Sequence, residues 1–357
     1  MAEVESTVDT AAMGTPTPSE TSYAPSWANL LTARLERLPG PTWLTYLVGM
    51  VAGTIFSLLP VDLKLATPGD IGAVLYYGSL PFAIIGLIHG LDTLAGRALT
   101  ALRPVLSLTD SEAARLRREL TVAPARPALV IAVFSPAVTA LSYASDPVGS
   151  GIVGYTPLEL AVRFGWESFI TAVFLILIYH TLRQLRLTSQ IHEQLGRVDL
   201  FDQAPLYAMS RLTSTTAIGL VLLSAPGLFL IPQDAGVSYL IISFAWFGGS
   251  GAIAAAAFVL PLRGTHDRIV AEKYRLQGEV GRRLTAVIDD IHAAVDAEDQ
   301  PRIEARNRAL TALVAERDLI AKVPTWPWST GALTGFVSAI LLPVALFLIQ
   351  RVLSQYL

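Results

Sequence analysis

The hydrophobic residues of this chain are grouped in long blocks, and these blocks are separated by polar segments. The blocks lie at about 43–60, 71–90, 128–144, 161–182, 212–231, 238–260 and 328–350. An α-helix rises about 1.5 Å per residue, so about 20 apolar residues match the hydrocarbon core of a bilayer. The pattern predicts an all-α fold, a polytopic transmembrane helical bundle of about seven spans. The third block is the shortest and the weakest of the seven.

The segments outside the blocks predict the rest of the domain organisation. Residues 1–26 are rich in Ser, Thr, Pro and Ala and hold no Lys or Arg, which is typical of a disordered tail. Residues 27–40 carry leucines at helical spacing but are too short to span a membrane, so we expect an interfacial amphipathic helix. Residues 41–261 then form a six-span region, and 326–357 hold the seventh span with a short C-terminus.

The polar segment after the second block contains a helix-start signal. Thr109 is followed three residues later by Glu112, which is the spacing of a capping box, and the helix that this signal opens is expected to run through Leu120.

The pattern of apolar residues at 262–325 predicts a helical hairpin outside the membrane. Ile269, Leu276, Val280, Leu284, Val287, Ile288, Ile291 and Val295 recur at spacings of three, four and seven, and a second apolar stripe follows from Ile303 to Ile320. Between them the tip contains Pro301, which suits the first turn of a new helix. We expect the two stripes to bury each other as a short antiparallel coiled coil. Such a hairpin could dock a partner or transmit a signal, or it could simply link two spans.

The distribution of basic residues orients the predicted spans, because cytoplasmic loops hold an excess of Lys and Arg. Arginines cluster after the second, fourth and sixth blocks, whereas the intervening loops hold only Lys64. This alternation predicts an inner membrane protein of bacterial type, with the N-terminus and the hairpin in the cytoplasm and the C-terminus outside.

Two groups of polar residues lie within or beside the spans. Arg163 and Glu167 are four residues apart and share one face of the fourth span. They are expected either to form a local ion pair or to line a site for protons or substrate, because charged residues in a membrane are costly.

Histidines form the second group. His89 and His180 lie at the inner ends of the second and fourth spans, near Asp92, Asp199 and Asp202. They could be solvated at the interface, relay protons or bind a metal, although their separation in sequence is not a metal-ligand spacing.

Prolines and glycines within the blocks have common structural explanations. Pro81, Pro136, Pro226 and Pro343 kink membrane helices, where neighbouring groups can satisfy the freed carbonyls. The Gly49/Gly53 pair allows two helices to approach closely, and we expect packing within one chain rather than dimerisation.

Composition excludes several functional classes. Hydrophobic residues make up 52% of the chain and charged residues 15%, and there is no cysteine. The net charge of -3 and the absence of a basic aromatic stripe argue against nucleic acid binding, and no catalytic or nucleotide-binding motif is present.

We therefore expect no enzyme and no cofactor, and we predict a sensor, regulator or scaffold that acts through the hairpin. The expected partners are the lipid bilayer, a cytoplasmic protein at 262–325, and a second copy of the chain. The alternative function is a transporter or channel for a small solute or ion that uses Glu167 and Arg163.

Overall fold

The computed structural model describes residues 23–59, 68–106, 108–145, 154–194, 200–201, 204–231 and 237–353. Most of the predicted N-terminal tail therefore lies outside the described residues, as do Lys64, Asp199 and Asp202. The helices are α1 Trp27–Leu35, α2 Thr42–Leu58, α3 Pro68–Leu106, α4 Asp110–Thr121, α5 Ala125–Ser145, α6 Pro157–Gln194, α7 Ala204–Ser224, α8 Val237–Val259, α9 Arg263–Asp296, α10 Gln300–Lys322 and α11 Thr330–Leu353. Short 3-10 helices cover Ala225–Leu230 and Leu260–Leu262. Among the described residues, β-pairing is limited to one isolated bridge.

The fold is all-helical, and six stretches of helix within the described residues are long and apolar enough to cross a membrane. They overlap the second to seventh predicted blocks. The first block forms α2, which has 17 residues and is shorter than these six. Since about 20 residues are needed to cross hydrocarbon perpendicularly, α2 is at the lower limit for a span.

Two helices continue well beyond their predicted ends. The apolar block at 71–90 becomes α3, which runs to Leu106, and the block at 161–182 becomes α6, which runs to Gln194. The extension of α3 is held by packing, because Leu99 and Leu102 are buried there and α4 lies against it. Hydropathy marks where a helix is apolar, whereas tertiary contacts decide where it ends.

The predicted capping box is present at the start of α4. The backbone N–H of Thr109 donates to Oε2 of Glu112 at 3.0 Å, and the N–H of Glu112 donates to Oγ1 of Thr109 at 3.4 Å. The Thr109 hydroxyl also donates to Oε2 of Glu112 at 2.6 Å, and this bond and the one from the Thr109 N–H hold the pKa of the exposed Glu112 carboxyl below its ordinary value. The α4 helix continues to Thr121, one residue past the predicted Leu120.

Glycines bring α2 and α3 into close contact within the chain, as expected for the Gly49/Gly53 pair. A Cβ atom at Gly53 would lie 2.3 Å from the carbonyl oxygen of Gly78, and one at Gly78 would lie 2.5 Å from Cα of Thr54. Real Cβ atoms do not approach backbone so closely, so both positions require glycine for this packing.

A proline in α3 leaves one backbone carbonyl without its helical donor, and a side chain from another helix supplies the missing hydrogen bond. Pro81 lies inside α3 and cannot donate to the carbonyl of Tyr77 one turn earlier. That carbonyl accepts a hydrogen bond from Nε1 of Trp166 on α6 at 3.3 Å. Pro226 opens the 3-10 turn at the end of α7. A proline-induced gap is thus filled by a side chain from another helix.

The segment from Tyr23 to α1 is docked on the loop between α4 and α5. Pro25 and Pro124 form the isolated antiparallel bridge, and Nε1 of Trp27 donates to the carbonyl of Ala128 at 3.0 Å. The α-helix ends at Leu35, earlier than the predicted 27–40. Residues 36–40 form turns that end at Gly40, whose φ of 113° is readily adopted only by glycine.

Candidate functional site: the root of the hairpin and two polar pairs

Helices α9 and α10 lie side by side and form a helical hairpin. The carboxylate of Asp299 accepts from the N–H of Arg302 and so caps the start of α10, with Pro301 in the first turn as predicted. Both Arg302 and Arg306 pair with Asp290 across the two helices. These contacts close the tip end of the hairpin.

The apolar contact between the two helices is narrower than the sequence pattern suggested. Ile269, Val280 and Ile320 are buried between the helices or at their base. Ile288 and Val295, which were predicted to share the same buried stripe, are instead 39% and 52% exposed. A hairpin of two helices can cover only one side of α9, and these two residues lie on another side.

The base of the hairpin, where α10 ends, is fixed by polar contacts from α9. Nζ of Lys273 donates to the carbonyls of Ala321 at 2.7 Å and Val323 at 2.8 Å, which have no helical partner at the end of α10. Nδ1 of His266 lies 2.9 Å from the carbonyl of Thr325. A cation at a helix C-terminus also interacts favourably with the helix dipole.

A stack of aromatic rings runs from the hairpin into the bundle. His266 stacks on Trp326 with centroids 4.0 Å apart, and Trp326 stacks on Trp328 at 4.3 Å. Trp328 stacks on Phe258 of α8 at 4.9 Å, and Phe258 on Phe336 of α11 at 4.8 Å. Since Phe258 is fully buried, the stack links the first turn of α9 with the interior of the bundle.

Arg163 and Glu167 form an ion pair along one turn of α6, beside the hydroxyl of Tyr143 on α5. Nε of Arg163 donates to Oε1 of Glu167 at 2.8 Å, and its Nη1 donates to the hydroxyl of Tyr155 at 2.9 Å. The guanidinium also lies over the Tyr155 ring, 5.3 Å from its centroid. The three groups come from one stretch of chain, and both charged side chains are about one-third exposed.

His180 belongs to a buried pair with an acid from another helix. Its Nε2 lies 2.6 Å from Oδ1 of Asp92, and the side chain of His180 is 2% exposed. Nε2 of Gln184 donates to the carbonyl of Leu120 at 3.0 Å and lies 3.5 Å from the same Asp92 oxygen. The cluster ties α3, α4 and α6 together. Among the described residues, Nδ1 of His180 has no hydrogen-bond partner.

His89 is part of a separate pair. Its Nδ1 lies 3.1 Å from Oε1 of Glu36 just after α1, and its ring meets the edge of Tyr46. The two histidines are therefore each matched with a different carboxylate. Within the described part of the chain, no three His, Asp or Glu side chains are arranged to hold a metal ion.

One polar contact was not anticipated from the sequence. Nη2 of Arg183 donates to the hydroxyl of Tyr23 at 2.7 Å, and Nη1 donates to the carbonyls of Glu119 and Val122 at the end of α4. Burial raises the pKa of Tyr23, and Arg183 opposes this shift only in part. The neutral phenol donates to Val122 at 2.9 Å. In the sequence, Arg183 is one of several basic residues after the fourth block, and nothing there singles it out.

No family model, no curated protein and no solved structure matches this chain.

Proposed function

We propose that this chain is a seven-span membrane protein that acts without catalysis, as a sensor, regulator or scaffold, through the helical hairpin at 262–325. In this proposal α2 is the first span, the N-terminus and the hairpin lie in the cytoplasm, and the C-terminus lies outside. The hairpin engages a cytoplasmic protein.

The connection of the hairpin to the bundle carries this proposal. Residues Phe247–Asp296 form one almost continuous helical stretch of 50 residues, so α9 extends the apolar helix α8 directly. The ring stack and the cap from Lys273 hold the other arm against the same base. A rigid lever of this kind passes movement between the membrane and the hairpin, whereas a passive linker needs none of these contacts.

A transporter or channel has less support from the same geometry. Transport sites are usually built where several helices converge near the middle of the membrane. The charged groups at Arg163 and Glu167 pair with each other and contact two tyrosines, Tyr155 just before α6 and Tyr143 on α5. This arrangement favours a structural ion pair that anchors the end of the helix.

The orientation can be tested with single cysteines, because the natural chain has none. Cysteine is close to serine in size. Ser111→Cys changes an exposed residue on α4, and Ser145→Cys changes an exposed residue at the end of α5. We expect a membrane-impermeant maleimide to label cysteine 145 in intact cells, and cysteine 111 only after the membrane is opened. Labelling of both from the same side would refute the seven-span arrangement.

The role of the hairpin can be tested by deleting residues 264–322 and joining the ends with a short linker. Cross-linking and pull-down from native membranes should then recover no cytoplasmic partner, while the shortened chain still inserts. Arg308→Glu is a milder variant, since it reverses one exposed charge on α10 and leaves the hairpin intact. Recovery of the same partners from the deletion variant as from the full chain would refute the proposal.

A further inference from the structure

One side of α9 carries an exposed stripe of uncharged residues. The stripe runs from Ala271 to Val295, at alternating spacings of three and four residues. Its inner members are Tyr274, Gly278, Gly281, Thr285, Ile288 and His292. Apart from the half-buried Gly281, all of these positions are exposed. None is Lys, Arg, Asp or Glu, although such residues are frequent elsewhere in α9. We name these eight positions the open face of α9.

The open face is distinct from the side of α9 that packs on α10. That contact is centred on residues such as Ile269, Val280 and Ala294, all of them buried. At 3.6 residues per turn, the two stripes lie roughly 140° apart around the helix. Helix α9 therefore carries two apolar sides, and the hairpin uses one of them.

The open face has the shape and spacing that suit a second helix. A Cβ atom at Gly281 would meet nothing within 4 Å, and one at Gly278 would meet only the end of Arg282 at 3.8 Å. Tyr274 is 70% exposed. Alternate spacings of three and four residues are those of the a and d positions in a coiled coil, where two helices pack along each other.

A stripe of exposed residues also runs along the apolar segment before α9. Gly249, Ile253, Ala256 and Leu260 of α8 and the short turn after it are exposed, at spacings of four and three. Small residues on an exposed face of a membrane helix permit close approach of another helix. Whatever covers the open face can therefore continue along α8 into the membrane.

We infer that the open face of α9, together with this side of α8, binds the same face of a second copy of the chain. Two copies in one membrane have parallel α9 helices, since their hairpins lie on the same side. A two-fold axis along the membrane normal then places the open face opposite itself.

The charges beside the open face are compatible with this pairing. One flank holds Arg275, Arg282, Asp289 and Asp296, while the other holds the uncharged residues Val270, Gln277, Leu284 and Ile291. In a parallel pair of helices, each flank meets the opposite flank of the other copy. The arginines of one copy therefore face uncharged residues, and the charged residue that would meet its own copy across the axis is Asp267, between Leu260 and the open face.

The available area is adequate for a stable dimer. From Gly249 to Val295 the helix is about 70 Å long, and a contact strip about 10 Å wide gives roughly 700 Å² per copy. Stable interfaces bury about 800 Å² per partner. The open face of α9 alone supplies about half of this area, so the α8 segment is needed as well.

Cysteine cross-linking in native membranes tests the dimer. Gly281→Cys and Ile288→Cys place a thiol on the open face, and Ala286→Cys and Arg308→Cys place one at exposed positions away from it. Under mild oxidation we expect covalent dimers of the first two variants, in yields several-fold above those of the controls. Labelling with a maleimide after denaturation confirms that all four thiols are present and reduced before oxidation.

Equal yields at all four positions would indicate random collision and would overturn the proposal, as would the absence of dimers at 281 and 288. A second measurement is independent of thiols. The full chain, with one fluorophore per copy and few copies per vesicle, should lose its fluorescence in two bleaching steps. Ala256→Trp places a large side chain among the small residues of α8 and should increase the share of single-step bleaching. Single-step bleaching of the unchanged chain would also overturn the dimer. Neither assay measures partner recovery, so failure of the dimer and failure of the proposed function are distinguishable.

Discussion

The close contact between α2 and α3 makes a quantitative prediction about glycine. An alanine Cβ at Gly53 would lie 2.3 Å from the carbonyl oxygen of Gly78, and the rings of Trp166 lie 3.2 Å away on the same side. Ordinary contacts begin near 3.4 Å, so the two helices must separate by about 1 Å. The obstacle is backbone, which cannot move aside as a side chain can. We expect a cost near the upper end of overpacking, about 3 kcal/mol.

Gly90→Ala is the matched control on α3, because a Cβ at Gly90 would meet nothing within 4 Å. Both substitutions gain about 1 kcal/mol of helix propensity, since alanine restricts the unfolded chain. The difference between the two variants therefore isolates the clash. Gly90→Ala should be as stable as the unchanged chain or slightly more stable, whereas Gly53→Ala should be about 2 kcal/mol less stable.

Thermal and SDS-induced unfolding in one detergent, followed by tryptophan fluorescence, measures this difference. The chain has six tryptophans, and Trp166 lies at the contact itself. Its emission should therefore change at the same midpoint as the overall signal. A midpoint for Gly53→Ala equal to or above that of Gly90→Ala would show that α2 does not pack on α3 in this way.

Three further predictions follow from single side chains. His180→Phe leaves the carboxylate of Asp92 without its partner and should destabilise the protein by about 3–5 kcal/mol, with much of the loss recovered by adding Asp92→Leu. Trp166→Phe removes the donor to the carbonyl of Tyr77 and should cost about 1–3 kcal/mol in the same unfolding assay. Lys273→Met uncaps α10, so amides 318–323 should exchange hydrogen faster while those near the tip are unchanged. Equal exchange in both forms would contradict the cap.

The six helices of membrane length were predictable because the hydropathy of each is summed over about twenty residues, so that single residues matter little. The ends of the helices were less predictable. Leu102 continues α3 beyond the apolar block because α4 covers it, and this contact is not contained in the local sequence. The capping box at Thr109 was an exception, since its two partners are only three residues apart.

The candidate sites differ for the same reason. The Arg163–Glu167 pair follows from helical spacing, and its geometry agrees with the local ion pair expected from that spacing. His180 and Asp92 are separated by 88 residues; the sequence predicted that they lie at the same end of two spans, but it could not show which carboxylate pairs with which histidine. In the hairpin, periodicity detected apolar positions on α9 but could not divide them between two sides. Ile288 was therefore assigned to the contact with α10, although it lies on the open face.

This division of α9 determines where a cytoplasmic partner can bind. One side of α9 is covered by α10, and we infer that the open face is covered by a second copy. The outward surface of α10 then remains, and it carries exposed residues such as Arg308 and Leu319, the latter 60% exposed. In a two-fold dimer the paired α9 helices lie nearest the axis, and an α10 helix lies on each outer side. Under the proposed function, a partner bound at α10 would therefore be presented twice by a rigid support, and a change in the packing of α8 would alter the distance between its two binding surfaces.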